Sequence, residues 1–74
     1  MINILLNGCN GNMGKAIISY VNNTPDFNVL YGIDKDNTDL FNNISKKPDV
    51  IIDFSTVSAT FAALNYAIEN LVPI

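Results

Sequence analysis

Three glycines at intervals of three residues, Gly8, Gly11 and Gly14, follow an apolar amino-terminal run. Because glycine lacks a Cβ atom, the first glycine permits a sharp turn from strand to helix, the middle one lets a ligand approach the backbone closely, and the last one lets the helix pack tightly on the strand. The spacing is a variant of the G-x-G-x-x-G pattern that joins a strand to a helix in dinucleotide-binding folds. Three glycines alone also fit a tight turn that binds nothing, so the flanking segments must decide between the two interpretations.

The flanking segments predict strands that alternate with helices. Three apolar runs predict strands, at Ile2–Leu6, Phe27–Ile33 and Val50–Phe54. A helical periodicity follows the glycines, with apolar residues at Met13, Ala16, Ile17, Tyr20 and Val21. A second helix is predicted from Ser58 as its N-cap to about Asn70, with an apolar face formed by Phe61, Leu64, Ile68 and Leu71. Residues 38–44 predict only one or two helical turns.

This alternation predicts parallel strands joined by right-handed crossovers. The expected fold class is α/β, a Rossmann-like doubly wound parallel sheet that is truncated at the start of the fourth strand, since Val72–Ile74 resembles the opening of that strand. With the strand order 3-2-1-4, the first strand is partly unpaired on one side. We therefore expect a fragment of a longer polypeptide, and we expect the isolated chain to self-associate.

An acidic residue, Asp34, follows the second predicted strand, twenty positions after Gly14. An acid at this place accepts hydrogen bonds from the hydroxyl groups of an adenosine ribose. Strand, glycines, helix, strand and acid together predict a dinucleotide site, although Asp34 alone is equally an ordinary turn residue. A carboxylate repels the 2′-phosphate of NADP, whereas the neighbouring Lys35 attracts it. The pair thus predicts either a preference for NAD or tolerance of both cofactors.

The third strand ends in Asp53, Phe54 and Ser55, at the edge where open α/β sheets bind ligands. We expect Phe54 and Ser55 to flank the cofactor and Asp53 to brace the backbone, since an acid at a strand end needs partners. Cys9 lies inside the glycine turn, where a helix N-terminus lowers the pKa of a thiol. With no base in the chain, we favour a small side chain that fills the turn.

Composition excludes several functional classes. The 74 residues contain no histidine and one cysteine, so a disulfide within the chain, a structural zinc site and a histidine base are excluded, and we expect no metal. The net charge of −3 speaks against a nucleic acid partner. No apolar run reaches the roughly 18 residues of a membrane span and no signal peptide is visible, so we expect a cytoplasmic protein without a membrane partner.

Residues 4–15 resemble the N-terminal signature of the 4-hydroxy-tetrahydrodipicolinate reductase family, also called dihydrodipicolinate reductase. The distinctive element is Met13, between the second and third glycines. Pro48–Ser55 resembles the third strand of that family with its Asp-Phe-Ser or Asp-Phe-Thr ending, and Val72–Ile74 resembles the strand before its Gly-Thr-Thr-Gly loop. The resemblance covers the whole chain but only about the first third of a family member.

The resemblance implies hydride transfer from NADH or NADPH to a cyclic dicarboxylate, in the diaminopimelate route to lysine. Residues 1–74 would then be an incomplete N-terminal dinucleotide-binding domain. The substrate-binding domain, the catalytic residues and the contacts of a homotetramer would lie outside the chain, so the chain alone is expected to be inactive. The implied cofactor-binding residues are Gly8, Cys9, Asn10, Gly11, Asn12, Met13, Gly14, Asp34, Lys35, Phe54 and Ser55.

Two departures from the family pattern affect these expectations. Asn12 stands where the family usually has arginine, which favours NADH, and Thr56 and Val57 replace a proline often found after Asp-Phe-Ser. Three other interpretations stay open. The chain is the dinucleotide-binding domain of another amino-acid-pathway dehydrogenase, or a non-catalytic module that senses nicotinamide nucleotides, or a fragment with too few contacts to bind anything detectable.

Overall fold

The computed structural model describes residues 1–74 as one parallel sheet with helices on both faces. Its elements are β1 (Ile2–Asn7), α1 (Asn12–Asn22), β2 (Phe27–Ile33), a short 3-10 helix (Thr38–Asn42), β3 (Val50–Asp53) and α2 (Val57–Asn70). All three strands are parallel. The predicted α/β class is confirmed, and each predicted strand lies within one or two residues of the observed one. Neither helix has the length and apolarity that a membrane-spanning helix needs.

The strand order is β2-β1-β3, which corrects the expected order. β1 is the central strand: Ile4 pairs with Val29 of β2 on one side and with Val50 of β3 on the other. The expectation that β1 is partly unpaired is therefore wrong. β3 pairs with the free edge of β1 rather than with the outer edge of β2, and this places the most buried strand in the middle, with residues 4–7 buried.

The segment predicted as a fourth strand is not a strand in the structure, but it lies beside the outer edge of β3. The backbone N–H of Ile51 donates a hydrogen bond to the carbonyl oxygen of Pro73 at 2.8 Å. Leu71 ends α2 in a left-handed conformation (φ 57°), which turns the chain back so that Val72 is buried. The final residues thus lie next to β3 without adding a strand to the three-stranded sheet.

Side chains of a strand alternate between the faces of a sheet, so each face carries its own apolar cluster. The cluster beneath α1 contains Ile4, Leu6 and Val21. The cluster beneath α2 contains Leu5, Ile33, Ile51, Ala63, Ala67 and Val72. α1, which lies between β1 and β2, therefore covers one face of the sheet, and α2, which follows β3, covers the other, as in a doubly wound sheet.

The buried face of α1 is shifted by one position from the predicted face, since three of the five predicted residues, Met13, Ala16 and Tyr20, are exposed. Gly14 and Val21 are buried and Ile17 and Ile18 are half-buried, whereas Met13 and Tyr20 are 53% and 67% exposed. The reason is Gly14, which brings the helix close to the turn. A Cβ atom there would lie 2.8 Å from the Cα atom of Cys9. Residues three, four and seven positions after Gly14 lie on the same side of the helix, so Ile17, Ile18 and Val21 pack against the sheet.

The apolar face predicted for α2 exists, but it points away from the sheet. Phe61 and Ile68 are 61% and 66% exposed, and Leu64 and Leu71 are exposed too. Ala63 and Ala67 face the sheet instead, because small side chains let the helix approach more closely. The N-cap is Thr56 and not Ser58 as expected, since the Thr56 hydroxyl accepts a hydrogen bond from the N–H of Ala59.

Candidate functional site

A cleft of about 440 Å³ opens at the carboxyl ends of the three strands. The chain that leaves β1 enters α1 on one face of the sheet, whereas the chain that leaves β3 enters α2 on the other face. The gap between β1 and β3 is therefore a topological switch point, where open α/β sheets bind ligands. The cleft is lined by Asn7, Gly8, Asn10, Gly11, Asp34, Lys35, Asp36, Phe54, Ser55, Thr56 and Ala59. It thus brings together seven of the eleven predicted cofactor-binding residues: Gly8, Asn10, Gly11, Asp34, Lys35, Phe54 and Ser55.

Gly8 shapes the turn at the base of the cleft. Its φ of +90° is strained for any residue with a side chain, and a Cβ atom would lie 2.5 Å from the carbonyl oxygen of Phe54. Its N–H donates to the carbonyl oxygen of Ile33 at 2.7 Å, and the N–H of Phe54 donates to the carbonyl oxygen of Asn7 at 3.0 Å. The first glycine therefore fits where the ends of all three strands converge.

Gly11 differs from the other two glycines of the turn, because nothing in the chain requires it to lack a side chain. Its backbone is extended (φ −76°, ψ 171°), a conformation open to any residue. A Cβ atom would meet only the carbonyl oxygen of Gly8, at 3.6 Å, which is ordinary contact. The space that a side chain would take belongs to the cleft, so the missing Cβ atom leaves the backbone open to a ligand there.

The amino-terminal end of α1, with Gly11 as its N-cap, carries unpaired N–H donors. No side chain caps this end, and the N–H groups of Asn12, Met13 and Gly14 have no acceptor within the chain. Such groups carry the positive end of the helix dipole and bind anions, phosphate groups above all. The first turn of α1 and the open glycine beside it therefore fit a diphosphate.

Asp34 lies on the opposite rim of the cleft. Its carboxylate accepts hydrogen bonds from the side-chain amide of Asn10 and from the N–H of Asp36, the latter at 2.8 Å. Its own N–H donates to the side-chain oxygen of Asn37 at 2.6 Å. Asp34 is half-buried and faces the cleft, while the neighbouring Lys35 is exposed. The carboxylate of Asp34 and the glycine loop are therefore close enough to contact the same ligand.

The end of β3 is held by Asp53, whose carboxylate accepts from both the N–H (3.0 Å) and the hydroxyl of Ser55. The prediction that Asp53 braces the backbone is confirmed. The buried side chain of Asn7 donates to the Ser55 hydroxyl at 3.1 Å and to the carbonyl oxygen of Ala59 at 3.0 Å. Sequence reasoning missed Asn7, although a polar residue that ends an apolar strand was a signal.

Four of the predicted residues do not line the cleft: Cys9, Asn12, Met13 and Gly14. Cys9 packs against Gly32, where a Cβ atom would lie 3.1 Å from its sulfur atom. Burial raises the pKa of the Cys9 thiol, and the charge of Asp34 raises this pKa further. The helix N-terminus thus does not activate the thiol, and the interpretation of Cys9 as a side chain that fills the turn agrees with this geometry.

Asn12 and Met13 lie on the exposed side of the first turn of α1, and Gly14 is buried beneath the loop. The backbone N–H groups of Asn12, Met13 and Gly14 face the amino-terminal end of α1, whereas the side chains of Asn12 and Met13 do not. Three further residues of the cleft, Asp36, Thr56 and Ala59, were not predicted. No group of three or more histidine, cysteine or acidic side chains is arranged to hold a metal ion.

Comparison with known proteins places this chain in a family. The family model described as dihydrodipicolinate reductase, N-terminus, matches residues 2–74. A 4-hydroxy-tetrahydrodipicolinate reductase of Clostridium novyi (strain NT) is 35% identical over an 82-residue alignment that covers 100% of this chain and 32% of the relative. The enzyme of the same name from Rickettsia akari (strain Hartford) is 39% identical over 71 residues, which cover 95% of this chain and 29% of the relative.

A third similar protein is the 4-hydroxy-tetrahydrodipicolinate reductase of Caldanaerobacter subterraneus subsp. tengcongensis, 31% identical over 81 residues. This alignment again covers 100% of the chain and 32% of the relative. The chain therefore spans about a third of the length of the curated relatives that it matches. No solved structure gives a significant match to the chain.

Proposed function

Because the chain belongs to the dihydrodipicolinate reductase family and matches its N-terminal part, we propose that residues 1–74 are the dinucleotide-binding part of a 4-hydroxy-tetrahydrodipicolinate reductase. The whole protein would be an oxidoreductase that uses NADH or NADPH in lysine and diaminopimelate biosynthesis. Its cyclic dicarboxylate substrate, its catalytic residues and its homotetramer contacts would involve parts outside this chain. A cytoplasmic location stays a prediction. The family match favours this function over another amino-acid-pathway dehydrogenase.

Gly11 is the observation that carries the proposal. The fold explains the glycines at positions 8 and 14 by a positive φ and a close helix contact, respectively, but it gives no reason for a glycine at position 11. A ligand that contacts the backbone supplies that reason. The unpaired N–H groups at the start of α1 indicate that this ligand carries negative charge next to Gly11, as a diphosphate does.

The other site residues take their proposed roles from their place around this diphosphate position. The loop from Gly8 to Met13 wraps the diphosphate, and Asp34 accepts hydrogen bonds from the adenosine ribose. Phe54 and Ser55 lie beside the path of the cofactor at the end of β3. A bound nicotinamide dinucleotide supplies the hydride. The contribution of this chain is to hold the cofactor in a fixed orientation, and a second domain would supply substrate binding.

The choice between NADH and NADPH depends on the charges around Asp34. Asp34 and Asp36 both line the cleft, and their carboxylates disfavour a 2′-phosphate. Asn12 supplies no cation where the family usually has arginine. The exposed Lys35 is the one cation lining the cleft and allows NADPH. These groups together favour NADH.

Calorimetric titration of the chain with NADH tests the proposal. We expect saturable binding of one NADH, and we expect the Gly11→Ala variant to bind at least about tenfold more weakly, because its methyl group displaces the diphosphate from the backbone. The matched control is Asn22→Ala at the exposed carboxyl end of α1, which should bind like the wild type. Unchanged affinity in the folded Gly11→Ala chain, or no binding by the wild type, would contradict the proposal.

A further inference from the structure

The side chain of Asn10 reaches across the mouth of the cleft to Asp34. Asn10 lies on the exposed part of the glycine loop, and its Nδ2 atom donates a hydrogen bond to the Oδ2 atom of Asp34. A carboxylate oxygen only accepts hydrogen bonds, so the NH₂ group of Asn10 and not its oxygen atom must face Asp34. This contact ties the loop after β1 to the turn after β2 at the ligand-facing side.

The same carboxylate is held from the other side by the turn after β2. Its Oδ1 atom accepts from the N–H of Asp36 at 2.8 Å. The backbone of Asp34 is fixed in turn by Asn37, which accepts from the Asp34 N–H at 2.6 Å and donates to the carbonyl oxygen of Gly32 at 3.0 Å. Each carboxylate oxygen therefore has one donor, and the two donors approach from different loops, which restrains the rotation of the carboxylate.

The hydrogen-bonding capacity that remains on Asp34 matches a ribose with two free hydroxyl groups. An ionised carboxylate has about four lone-pair sites, so about two stay open after the bonds from Asn10 and Asp36. The 2′- and 3′-hydroxyls of a ribose supply two donors. A ribose with a 2′-phosphate has lost one of these donors and brings a second negative group towards the carboxylate.

We propose that Asn10 determines cofactor specificity: its side-chain amide orients Asp34 towards both ribose hydroxyls and thereby makes the chain prefer NADH to NADPH. This inference rests on the proposed function, because it requires that the cleft bind a nicotinamide dinucleotide. It adds that the Asn10 side chain acts on the ribose through Asp34, whereas the loop backbone around it acts on the diphosphate. Asn10 is thus a positioning residue, and its effect differs between the two cofactors.

Titration of the Asn10→Ala variant with NADH and with NADPH separates this role from a diphosphate contact. Without Asn10 the Asp34 carboxylate rotates more freely, so we expect the Kd for NADH to rise about fivefold, as for the loss of one exposed hydrogen bond. We expect the Kd for NADPH to change by less than about twofold, because the phosphorylated ribose does not use that orientation. Equal weakening of both cofactors would mean that Asn10 contacts only the diphosphate, and would overturn the inference.

Two further measurements keep the result unambiguous. In an Asp34→Asn background, Asn10→Ala should alter the Kd for NADH by less than about twofold, since its charged partner is gone. An additive effect there would contradict the inference. Asn22→Ala is the control for an exposed asparagine, and circular dichroism reports whether each variant is folded.

Failure of the wild type to bind either cofactor overturns the proposed function itself. Normal binding with an unchanged NADH-to-NADPH ratio in Asn10→Ala overturns only the role of Asn10.

Discussion

Individual residues of the glycine turn have separable roles in folding and in binding. Gly8 has a positive φ and would bring a Cβ atom within 2.5 Å of a backbone oxygen, whereas Gly11 has ordinary backbone angles and open space. The pattern of three glycines was readable from the sequence, as was the assignment of the sharp turn to the first, the ligand approach to the middle one and the helix contact to the last. The atoms that exclude a side chain at Gly8 were not, because they belong to Phe54 and Ser55, which lie more than forty residues further along the chain.

Gly8→Ala should therefore destabilise the fold, and Gly11→Ala should not. We expect Gly8→Ala to lower the free energy of unfolding by about 2–4 kcal/mol, from the strained φ together with the clash against Phe54. We expect Gly11→Ala to change it by less than about 0.5 kcal/mol. Urea unfolding followed by circular dichroism measures both values. Equal destabilisation by the two substitutions would show that Gly11 is a structural glycine.

The thiol of Cys9 should titrate above its usual range. Burial raises the pKa of this thiol, and the charge of Asp34 raises it further. The folded chain thus binds the thiol proton more tightly than the unfolded chain. The corresponding stabilisation is complete below the unfolded pKa of the thiol and is lost as the pH rises through the folded pKa. Alkylation of Cys9 by iodoacetamide should reach its half-maximal rate at a higher pH in the folded wild type than in the urea-unfolded chain, and Asp34→Asn should lower that pH in the folded chain. A folded wild type whose half-maximal rate comes at the same pH as that of the unfolded chain, or at a lower pH, contradicts this account.

At the scale of elements, the sequence predicted where helices and strands lie better than which way they face. The spacing of Phe61, Leu64 and Ile68 indicated an amphipathic α2, and the helix is present. The sheet nevertheless packs against Ala63 and Ala67. When alanines and large apolar residues are interleaved along a helix, helical periodicity identifies two candidate faces. Only the distance between the helix and the sheet then decides that the face with the smaller side chains is buried.

Because α2 packs on the sheet through its alanines, enlarging a buried alanine should destabilise the fold more than truncating an exposed phenylalanine. Ala63 is fully buried, so Ala63→Leu should overpack the space against β1 and β3 and cost about 1–3 kcal/mol of unfolding free energy. Phe61→Ala removes a much larger side chain, but from a position that is 61% exposed, so it should cost less than about 0.5 kcal/mol. Chemical unfolding of both variants measures this difference. A larger cost for Phe61→Ala would mean that α2 packs through its other face.

Contacts between elements set the finer features of the site. Asp34 was predicted from its distance to the glycines, but its contact with Asn10 depends on the register of β1 and β2, which shifts between Ile4 and Leu5. A single sequence does not indicate such a shift. The hydrogen bonds of Asn7 to Ser55 in the loop after β3 and to Ala59 in the first turn of α2 were also unpredictable, because they depend on which strand adjoins β1.

At the scale of the whole molecule, alternating strands and helices were sufficient to predict a parallel sheet but not the strand order. The apolar residues of β3 are buried equally well beside β2 or beside β1, so composition does not distinguish the two arrangements. In the observed order both edges of β1 are paired. The unpaired apolar strand therefore no longer explains the predicted self-association of the isolated chain.

The exposed face of α2 supplies a different reason for self-association. Phe61, Leu64, Ile68 and Leu71 form a continuous apolar stripe on its outer side, and stripes of this kind associate in water. We expect sedimentation equilibrium of the isolated chain to give an apparent mass that rises with concentration. The double variant Phe61→Lys/Ile68→Lys should stay close to the monomer mass of 8.1 kDa. A wild-type chain that remains monomeric at about millimolar concentration contradicts this expectation.

The central claim is that backbone amides of the glycine loop bind the diphosphate of a nicotinamide dinucleotide while Asp34 binds its ribose. The most direct test is a titration of the ¹⁵N-labelled chain with NADH, followed by amide chemical shifts in NMR spectra. We predict the largest shifts at residues 8–14, at Asp34–Asp36 and at Phe54–Ser55, and none at the outer face of α2. Saturable shifts that lie mainly outside the cleft, or no shifts at saturating NADH, would contradict the account.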